Sequence, residues 1–139
     1  MKQELKSSLG RPYITIEDDL ENRWIMVDWA GYLTADSIKA GAAAYTAALA
    51  ASGLHCVLND TRKVIGPWDH SMDWVINVWA PNAAAAGLRH FALISTPDSM
   101  ADGSAANFYA QLTAFKARVF SNEEEARTWL RTVSLGTQG

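Results

Sequence analysis

Two short apolar segments, each flanked by sequence with helical periodicity, most strongly limit the folds open to this chain. They are "LHCVLND" at residues 54–60 and "LRHFALIS" at residues 88–95. A nearly continuous apolar run of this length is typical of a strand that is covered on both faces, as in a parallel sheet. The segments therefore predict parallel strands joined by helical connections, which is the arrangement of an α/β fold.

The sequence before the first of these strands predicts a hairpin followed by a helix. In "YITIEDDLENRWIMVDW", residues 13–29, apolar and polar residues alternate on both sides of an acidic turn, as in two antiparallel strands. Thr34 is a favourable N-cap, apolar residues then recur at steps of three and four, and Gly53 ends the run. We therefore expect a helix between Thr34 and Gly53.

A second helix is predicted in "GPWDHSMDWVINVW", residues 66–79. Pro67 suits the first turn because its φ is fixed and its missing N–H has no partner there in any case. Asp69 places negative charge near the positive end of the helix. The helix should then turn an apolar stripe inward, formed by Trp68, Met72, Val75, Ile76 and Trp79.

The remaining sequence predicts two more helices and one strand. Ser104 is expected to cap the third helix, and "RVF" at residues 118–120 should form the last strand. Ser121 and Glu124 have the spacing of a capping box at the start of the fourth helix. The predicted order is β-β-α-β-α-β-α-β-α. It indicates a mixed, mostly parallel sheet with an N-terminal antiparallel hairpin, flanked by about four helices.

Length and composition favour a small globular protein with one domain. The chain has 139 residues, of which 49% are hydrophobic, so we expect a single domain over residues 1–139 with an ordered core at about 12–133. No apolar stretch approaches the roughly 20 residues of a membrane span, and no signal peptide is recognisable. The lone cysteine, Cys56, lies in an apolar run and indicates no disulfide. A cytoplasmic location is expected.

Charge and motif content argue against several classes of function. The net charge is −3 and the basic residues are scattered, which is unlike a nucleic-acid-binding surface. The three histidines lack the same-face spacing of a zinc site, and no phosphate-binding loop or serine nucleophile motif is present. We therefore expect no metal and no cofactor, and we assign no catalytic residue.

Several phrases, in order along the chain, resemble one known family. "VDWAGYLT", "VLNDTRKVIGPW", "WAPNAAAAG", "RHFALIS" and "VFSNEEEARTWL" are similar to segments of the SpoIIAA-like proteins, which are relatives of the STAS domains of anti-sigma-factor antagonists and sulfate transporters. The likeness covers roughly residues 12 to 132. It implies a STAS-type fold and a regulatory or binding role.

Signalling STAS proteins carry a serine that a partner kinase phosphorylates, at the start of the helix after a central strand. In this chain that position falls near Trp68 or Asp69, so the serine is not matched there. Ser71 lies one turn later, and Thr61 lies earlier in the predicted loop. A phosphorylation switch is therefore not supported by the resemblance.

The candidate site is the edge where the predicted parallel strands end, because ligands of open α/β sheets bind there. Free N–H groups at the start of the second helix would attract an anion at this edge. Trp74 is expected to cover a partly exposed patch that suits a partner or a pocket wall. The candidate binding residues are Tyr32, Asp60, Thr61, Arg62, Gly66, Trp68, Asp69, His70, Asp73, Trp74 and Asn77.

Three functions are open at this point. The preferred one is a non-catalytic regulatory or binding module that presents the loop and helix of residues 59–79 to a protein partner, with a homodimer as one form of this. The alternative is a carrier or sensor of a small apolar or anionic ligand, held in a cavity between the second helix, the third helix and the sheet. The least favoured is an enzyme that uses Asp60, Arg62, Asp69 and His70.

Overall fold

A computed structural model describes the backbone of residues 2–137 and the side chains of residues 2–134. In this part of the chain, six strands form one sheet in the order β1-β2-β3-β4-β5-β6. The strands β1 to β3 pair antiparallel, and β3 to β6 pair parallel. Their bounds are Lys2–Lys6, Pro12–Asp19, Trp24–Gly31, Cys56–Val64, His90–Ile94 and Lys116–Phe120. The predicted mixed, mostly parallel sheet is confirmed.

Helices cover both faces of the sheet. The first helix, α1, spans Ala35–Ser52 and has the predicted caps: the Thr34 side chain accepts from the Ser37 N–H, and Gly53 is left-handed with φ 72°. The long helices of the second half are α4, Met100–Gln111, and α5, Glu123–Thr137. Ser99, rather than Ser104, is the N-cap of α4, where its side chain accepts from the Asp102 N–H.

Between β4 and β5 the chain forms an interrupted helix over residues 69–85. It consists of a 3-10 turn, Asp69–Ser71, then α2, Met72–Trp74, a π-helical turn, Val75–Trp79, and α3, Ala80–Ala85. Pro81 in the first turn of α3 explains the π turn, since it lacks an N–H and its ring crowds the carbonyl four residues earlier. The N–H of Ala80 bonds instead to the carbonyl of Val75, five residues earlier, which is the π-helical spacing.

Three features differ from the sequence prediction. Strand β1 precedes residue 12, where no element was expected, and pairs with β2 at the sheet edge. Strand β4 continues to Val64, so Thr61 and Arg62 lie in a strand and not in a loop. The interrupted helix begins at Asp69 and not at Pro67, because the Trp68 N–H donates to Ser104 Oγ of α4 at 2.9 Å and this contact holds the chain outside the helix.

Each face of the sheet has its own hydrophobic core. The larger core lies under α1, the interrupted helix and α4, and includes Ile14, Tyr45 and Trp79. The smaller core lies under α5 and includes Trp24 and Leu130, both with an exposed fraction of 0%. Side chains alternate between the two faces along each strand, which explains why β4 and β5 read as continuous apolar runs.

Within the described residues, no helix is both long enough and apolar enough to cross a membrane.

Candidate functional site

The polar side chains near the carboxyl end of β4 alternate between the two faces of the sheet. Asn59 and Thr61 lie on the side of the interrupted helix, and both are only 5% exposed. Asn59 Oδ1 accepts from Trp29 Nε1 at 2.8 Å, and the Thr61 hydroxyl donates to the carbonyl of Ile94 at 2.8 Å. These bonds satisfy polar groups that would otherwise be costly to bury.

On the opposite side of β4, Asp60 and Arg62 form an ion pair that reaches α5. Arg62 Nη2 lies 2.7 Å from Asp60 Oδ2 and 3.2 Å from Glu123 Oε1. The hydrogen bond to Asp60 raises the pKa of the Arg62 guanidinium, so this side chain stays charged. The pair therefore ties the end of β4 to the first turn of α5 and faces away from His70.

The start of the interrupted helix is fixed by α4, and this changes the prediction of an anion site. The Trp68 N–H, expected to be free, is taken by Ser104. The carboxylate of Asp69 accepts from Ser104 Oγ at 3.0 Å and from Asn107 Nδ2 at 3.1 Å. One expected donor is thus occupied, and a carboxylate lies where an anionic ligand was expected to bind.

Tyr32 and Gly66 come together at the carboxyl edge. Gly66 has a left-handed φ of 82°, and a Cβ placed there would lie 3.6 Å from the Tyr32 ring. The N–H of Ile65 bonds to the carbonyl of Gly31 at 3.0 Å, which holds the two loops side by side. Tyr32 is 77% exposed and Ile65 is 51% exposed, so this edge presents apolar surface to solvent.

His70 links the interrupted helix to the loop after β3. Its Nε2 lies 3.1 Å from the carbonyl of Leu33, and its Nδ1 lies 3.0 Å from the Ser71 hydroxyl. An imidazole with its proton on Nε2 donates to the carbonyl and accepts from the hydroxyl, so both contacts are satisfied together. The hydrogen bonds of the His70 ring go to Leu33 and Ser71, and none joins it to the carboxylate of Asp60 or Asp69, so these residues do not form the arrangement expected of an acid–base pair.

The outer face of the interrupted helix is polar and exposed. Asp73 and Asn77 are exposed, whereas Trp74 is half-buried and has Lys39 Nζ 5.9 Å from its ring centroid. Ser71 and Thr61, the hydroxyls nearest to the phosphorylated position of signalling STAS proteins, are 3% and 5% exposed. Neither hydroxyl is accessible to a kinase in this conformation.

The inner face of the same helix borders a partly enclosed cavity of about 50 Å³. It lies where the sequence predicted one, between the interrupted helix, α4 and the sheet, and α1 completes the wall. Asn59 and Thr61 are its polar side chains, and no charged side chain belongs to the described wall. Six aromatic side chains make up much of the rest: Trp29, Tyr45, Trp68, Trp79, Phe91 and Phe108.

Trp79 holds the aromatic wall together. Its ring lies 5.7 Å from Tyr45 and 5.5 Å from Phe91, both edge-to-face, and 6.3 Å from Phe108. Aromatic pairs favour such edge-to-face arrangements because the ring edge is positive and the ring face is negative. The π-helical turn places Trp79 and Val75 on the wall, so the backbone irregularity caused by Pro81 shapes the cavity.

Sequence reasoning located the edge but missed most of the cavity wall. Asn59 belonged to the candidate segment 59–79, but Trp29 and Tyr45 read as ordinary strand and helix residues, because their shared surface exists only after folding. One signal was available: an asparagine directly after a buried apolar run needs a buried partner. In the described part of the chain, no three His, Cys, Asp or Glu side chains cluster as metal ligands.

Among solved structures, the chain is similar to an uncharacterized protein of the DUF3478 family from Shewanella loihica PV-4, described as having a SpoIIAA-like fold. The TM-score is 0.56 at 18% sequence identity, and the match covers 84% of this chain and 91% of that protein. The sequence matches no protein-family model and no curated protein. The resemblance seen in the sequence is confirmed, and the chain has a SpoIIAA-like α/β fold.

Proposed function

We propose that this protein is a non-catalytic binding module that holds a small, mostly apolar molecule in the cavity beneath the interrupted helix. The observation that supports this most directly is the cavity itself, with a largely aromatic wall and the polar side chains of Asn59 and Thr61. Ligand sites in proteins have a similar lining, mainly apolar with few polar groups that orient the ligand, but most are several times larger, at about 300–1,000 Å³. The ligand alternative thus becomes the preferred function.

The size of the cavity limits the ligand. One water-sized sphere takes about 10–15 Å³, so a cavity of this volume has room for about four heavy atoms. At a ceiling of about 1.5 kcal/mol per atom, such a ligand gains at most about 6 kcal/mol. This corresponds to a dissociation constant of about 40 µM or weaker. A tighter ligand would place only its apolar end in the cavity.

An enzymatic role has less support. Asp60 is paired with Arg62, Asp69 with Ser104 and Asn107, and His70 with Leu33 and Ser71. The four side chains suggested for catalysis therefore serve contacts between elements and do not converge on a common point.

Xenon is a suitable first probe because apolar cavities bind it without any polar contact. We expect xenon to shift the backbone amide signals of Val75, Trp79 and Phe108 in ¹H–¹⁵N NMR spectra. Ala42 belongs to the wall and is 3% exposed, so Ala42→Val should fill part of the cavity and weaken these shifts several-fold. Ala47→Val is the matched control, since Ala47 is exposed on the same helix.

Equal xenon shifts in the two valine variants would contradict the proposed cavity site. Loss of the shifts in both variants would show that α1 tolerates neither change, and Val75→Leu would then replace Ala42→Val as the filling variant.

The second candidate function, docking of a protein partner, rests on exposed apolar side chains at the same edge. Tyr32, Ile65 and Val78 are exposed by 77%, 51% and 43%. The contact would be formed by Tyr32, Gly66 and the residues on the outer face of the helix. Thr61 and Trp68 would not take part, because they line the cavity. The proposed contact residues on that outer face are His70, Asp73, Trp74 and Asn77. Asp60 and Arg62 are left out of this contact because they pair on the opposite face of the sheet, and Asp69 is left out because its carboxylate bonds to α4.

A homodimer is the form of this candidate that can be tested directly. We expect sedimentation at rising concentration to show self-association that Ile65→Lys removes. Leu20→Lys is the control, because Leu20 is 67% exposed in the turn between β2 and β3, at the opposite end of the sheet. A protein that stays monomeric at high concentration, or equal loss in both variants, would count against docking through this edge.

A further inference from the structure

Strand β6 forms one edge of the sheet in the described part of the chain, with β5 on one side of it and no strand on the other. The Lys116 N–H bonds to the residue before β5 at 3.1 Å, and the Phe120 carbonyl accepts from the Ser95 N–H at 2.9 Å. Because the backbone groups of successive residues point to opposite sides of a strand, those of Ala117 and Val119 point away from β5. The N–H and carbonyl groups of these two residues are thus a template for pairing with another strand.

An open groove of about 540 Å³ runs beside this edge. Its apolar lining includes Tyr109, Leu112 and Phe115 from the end of α4 and the loop after it, and Trp129 from α5. Tyr109 is 54% exposed and Val119 is 37% exposed, so apolar surface lies next to the outward-pointing backbone groups. Recognition by strand addition uses both features, since backbone pairing gives affinity and pockets for alternate side chains give specificity.

The charged side chains at the amino end of this edge are cationic. Lys116 and Arg118 lie on β6, and Arg89 lies beside Lys116 at a second open groove. None of these three cations forms an ion pair with a described residue, in contrast to Arg62 and Lys63. No carboxylate belongs to the described lining of the two grooves. In a protein with a net charge of −3, this edge therefore has a local field of the opposite sign.

The same charges disfavour pairing between two copies of the chain through β6. Two β6 strands side by side would bring Lys116 and Arg118 of each copy close to those of the other, and like charges opposite each other destabilise a sheet. An acidic segment meets attraction instead. At the carboxyl end of β6 the wall becomes acidic, with Asp102, Glu124 and Glu125, so the acidic residues of a partner fit at the amino end.

We propose that β6 is the docking edge for an extended acidic segment of a protein partner, which adds as a further strand to the six of the sheet. Its acidic side chains lie on the α5 face with Lys116 and Arg118, whose guanidinium carbon is 5.9 Å from the Trp129 ring centroid. Its apolar side chains lie on the other face, beside Leu112 and Phe115. A single strand meets both requirements because its side chains alternate between the two faces. Docking there is independent of the proposed ligand, since this groove and the cavity share no described residue.

The probes are two capped peptides of equal length, one of alternating glutamate and valine and one of alternating lysine and valine. In ¹H–¹⁵N NMR titrations of the full chain, the glutamate peptide should shift the amide signals of Ala117 and Val119 and slow their hydrogen exchange, because these amides gain a partner. The amides of β1, at the other edge of the sheet, are the internal control and should change little. The lysine peptide should bind about fivefold more weakly.

Two variants test the charge and the backbone separately. Lys116→Glu should weaken binding of the glutamate peptide about fivefold and strengthen that of the lysine peptide. Lys2→Glu is the matched control, because it makes the same change at an exposed position of β1, and it should alter neither. Val119→Pro removes an N–H that points to the open edge and keeps the bonds to β5, and edge strands tolerate proline at such positions. It should abolish peptide binding and leave the far-UV circular dichroism spectrum nearly unchanged.

Equal binding of the two peptides, or binding that leaves the amides of Ala117 and Val119 unchanged, would overturn the proposal. Binding of neither peptide would do the same. Protection of these amides that rises with protein concentration in the absence of peptide would show that a second copy covers the edge, which also contradicts the proposal. Should Val119→Pro not fold, the comparison of Lys116→Glu with Lys2→Glu decides alone.

Discussion

Asn59 shows how a single buried polar residue is stabilised in an apolar wall. Its side chain is fixed by the Trp29 indole, thirty positions earlier in the chain. Removing only one of two partners leaves the other unsatisfied, which costs more than the bond itself contributes. The bond therefore helps to set how β3 and β4 present their side chains to the cavity.

Asn59→Leu should lower the free energy of unfolding by about 1–3 kcal/mol, because the buried indole N–H of Trp29 loses its acceptor. Urea denaturation measures the change. In Trp29→Phe no donor remains, so the double variant Trp29→Phe/Asn59→Leu should lose less than the sum of the two single variants. Strict additivity of the three values would show that the bond contributes nothing.

Cys56 gives a prediction about pH. It is 1% exposed in the core under α5, and burial raises the pKa of its thiol from 9.0 to about 11. The unfolded chain therefore loses this proton at lower pH than the folded one, so stability is lost as pH rises from about 9 towards 11. The loss at pH 11 should be about 2 kcal/mol.

Denaturation at several pH values checks this, with Cys56→Ala as the comparison. The variant should lose stability less steeply above pH 9. Some slope remains, because burial also raises the pKa of Tyr45 well above 10 and acts in the same direction. Rapid alkylation of Cys56 in the folded protein at pH 8 would contradict the burial of the thiol.

Helix α1 packs closely against the sheet at Gly41. A Cβ at Gly41 would lie 2.5 Å from Trp29 Cη2 and 2.9 Å from Ile14 Cδ1. Glycine normally weakens a helix interior, but here its missing side chain permits close approach of α1 to β2 and β3. The helix thereby completes the cavity wall.

Gly41→Ala should therefore destabilise the protein by about 1–3 kcal/mol through overpacking. Gly103→Ala is the matched control, because Gly103 lies in α4 with no heavy atom within 4 Å of its added Cβ. That variant should gain up to about 1 kcal/mol from lower entropy of the unfolded chain. Thermal denaturation of both should give shifts of opposite sign; a melting temperature of Gly41→Ala that is not below that of the wild type would show that Gly41 is not a close contact.

The interrupted helix shows which local rules are sufficient and which are not. The caps of α1 were predicted because Thr34 and Gly53 act within a few residues of the backbone that they cap. The start of the interrupted helix was misplaced because Ser104, on a later element, takes the amide of Trp68. Pro67 is compatible with the first turn of a helix, but the hydrogen bond from the Trp68 N–H to Ser104 makes the helix begin at Asp69 instead.

One sheet separates two hydrophobic cores that are covered by different numbers of helical elements. Three helical elements cover the larger core, whereas α5 covers the smaller one. Strands β3, β4 and β5 contribute side chains to both cores. Loss of either core should therefore unfold the sheet, and with it the other core.

Leu130→Ala tests this coupling. Leu130 lies on α5 with an exposed fraction of 0%, so its truncation should cost about 2–5 kcal/mol. Leu49→Ala, at 1% exposure on α1, is the matched change in the other core. In each variant, far-UV circular dichroism and tryptophan fluorescence should give the same transition midpoint. Separate midpoints would show that the cores unfold independently.

Local sequence patterns were sufficient to predict the order and type of nearly all elements, the parallel character of the sheet and the edge where a site was expected. These depend on periodicity, caps and turn residues, which act over a few positions. The cavity and the burial of Asn59 and Thr61, by contrast, arise only when the elements pack together. The hydrogen bonds of these two buried side chains join residues 30 and 33 positions apart, Trp29–Asn59 and Thr61–Ile94. A pattern of a few neighbouring residues cannot predict contacts between positions so far apart in the sequence, because those contacts depend on how several elements pack together.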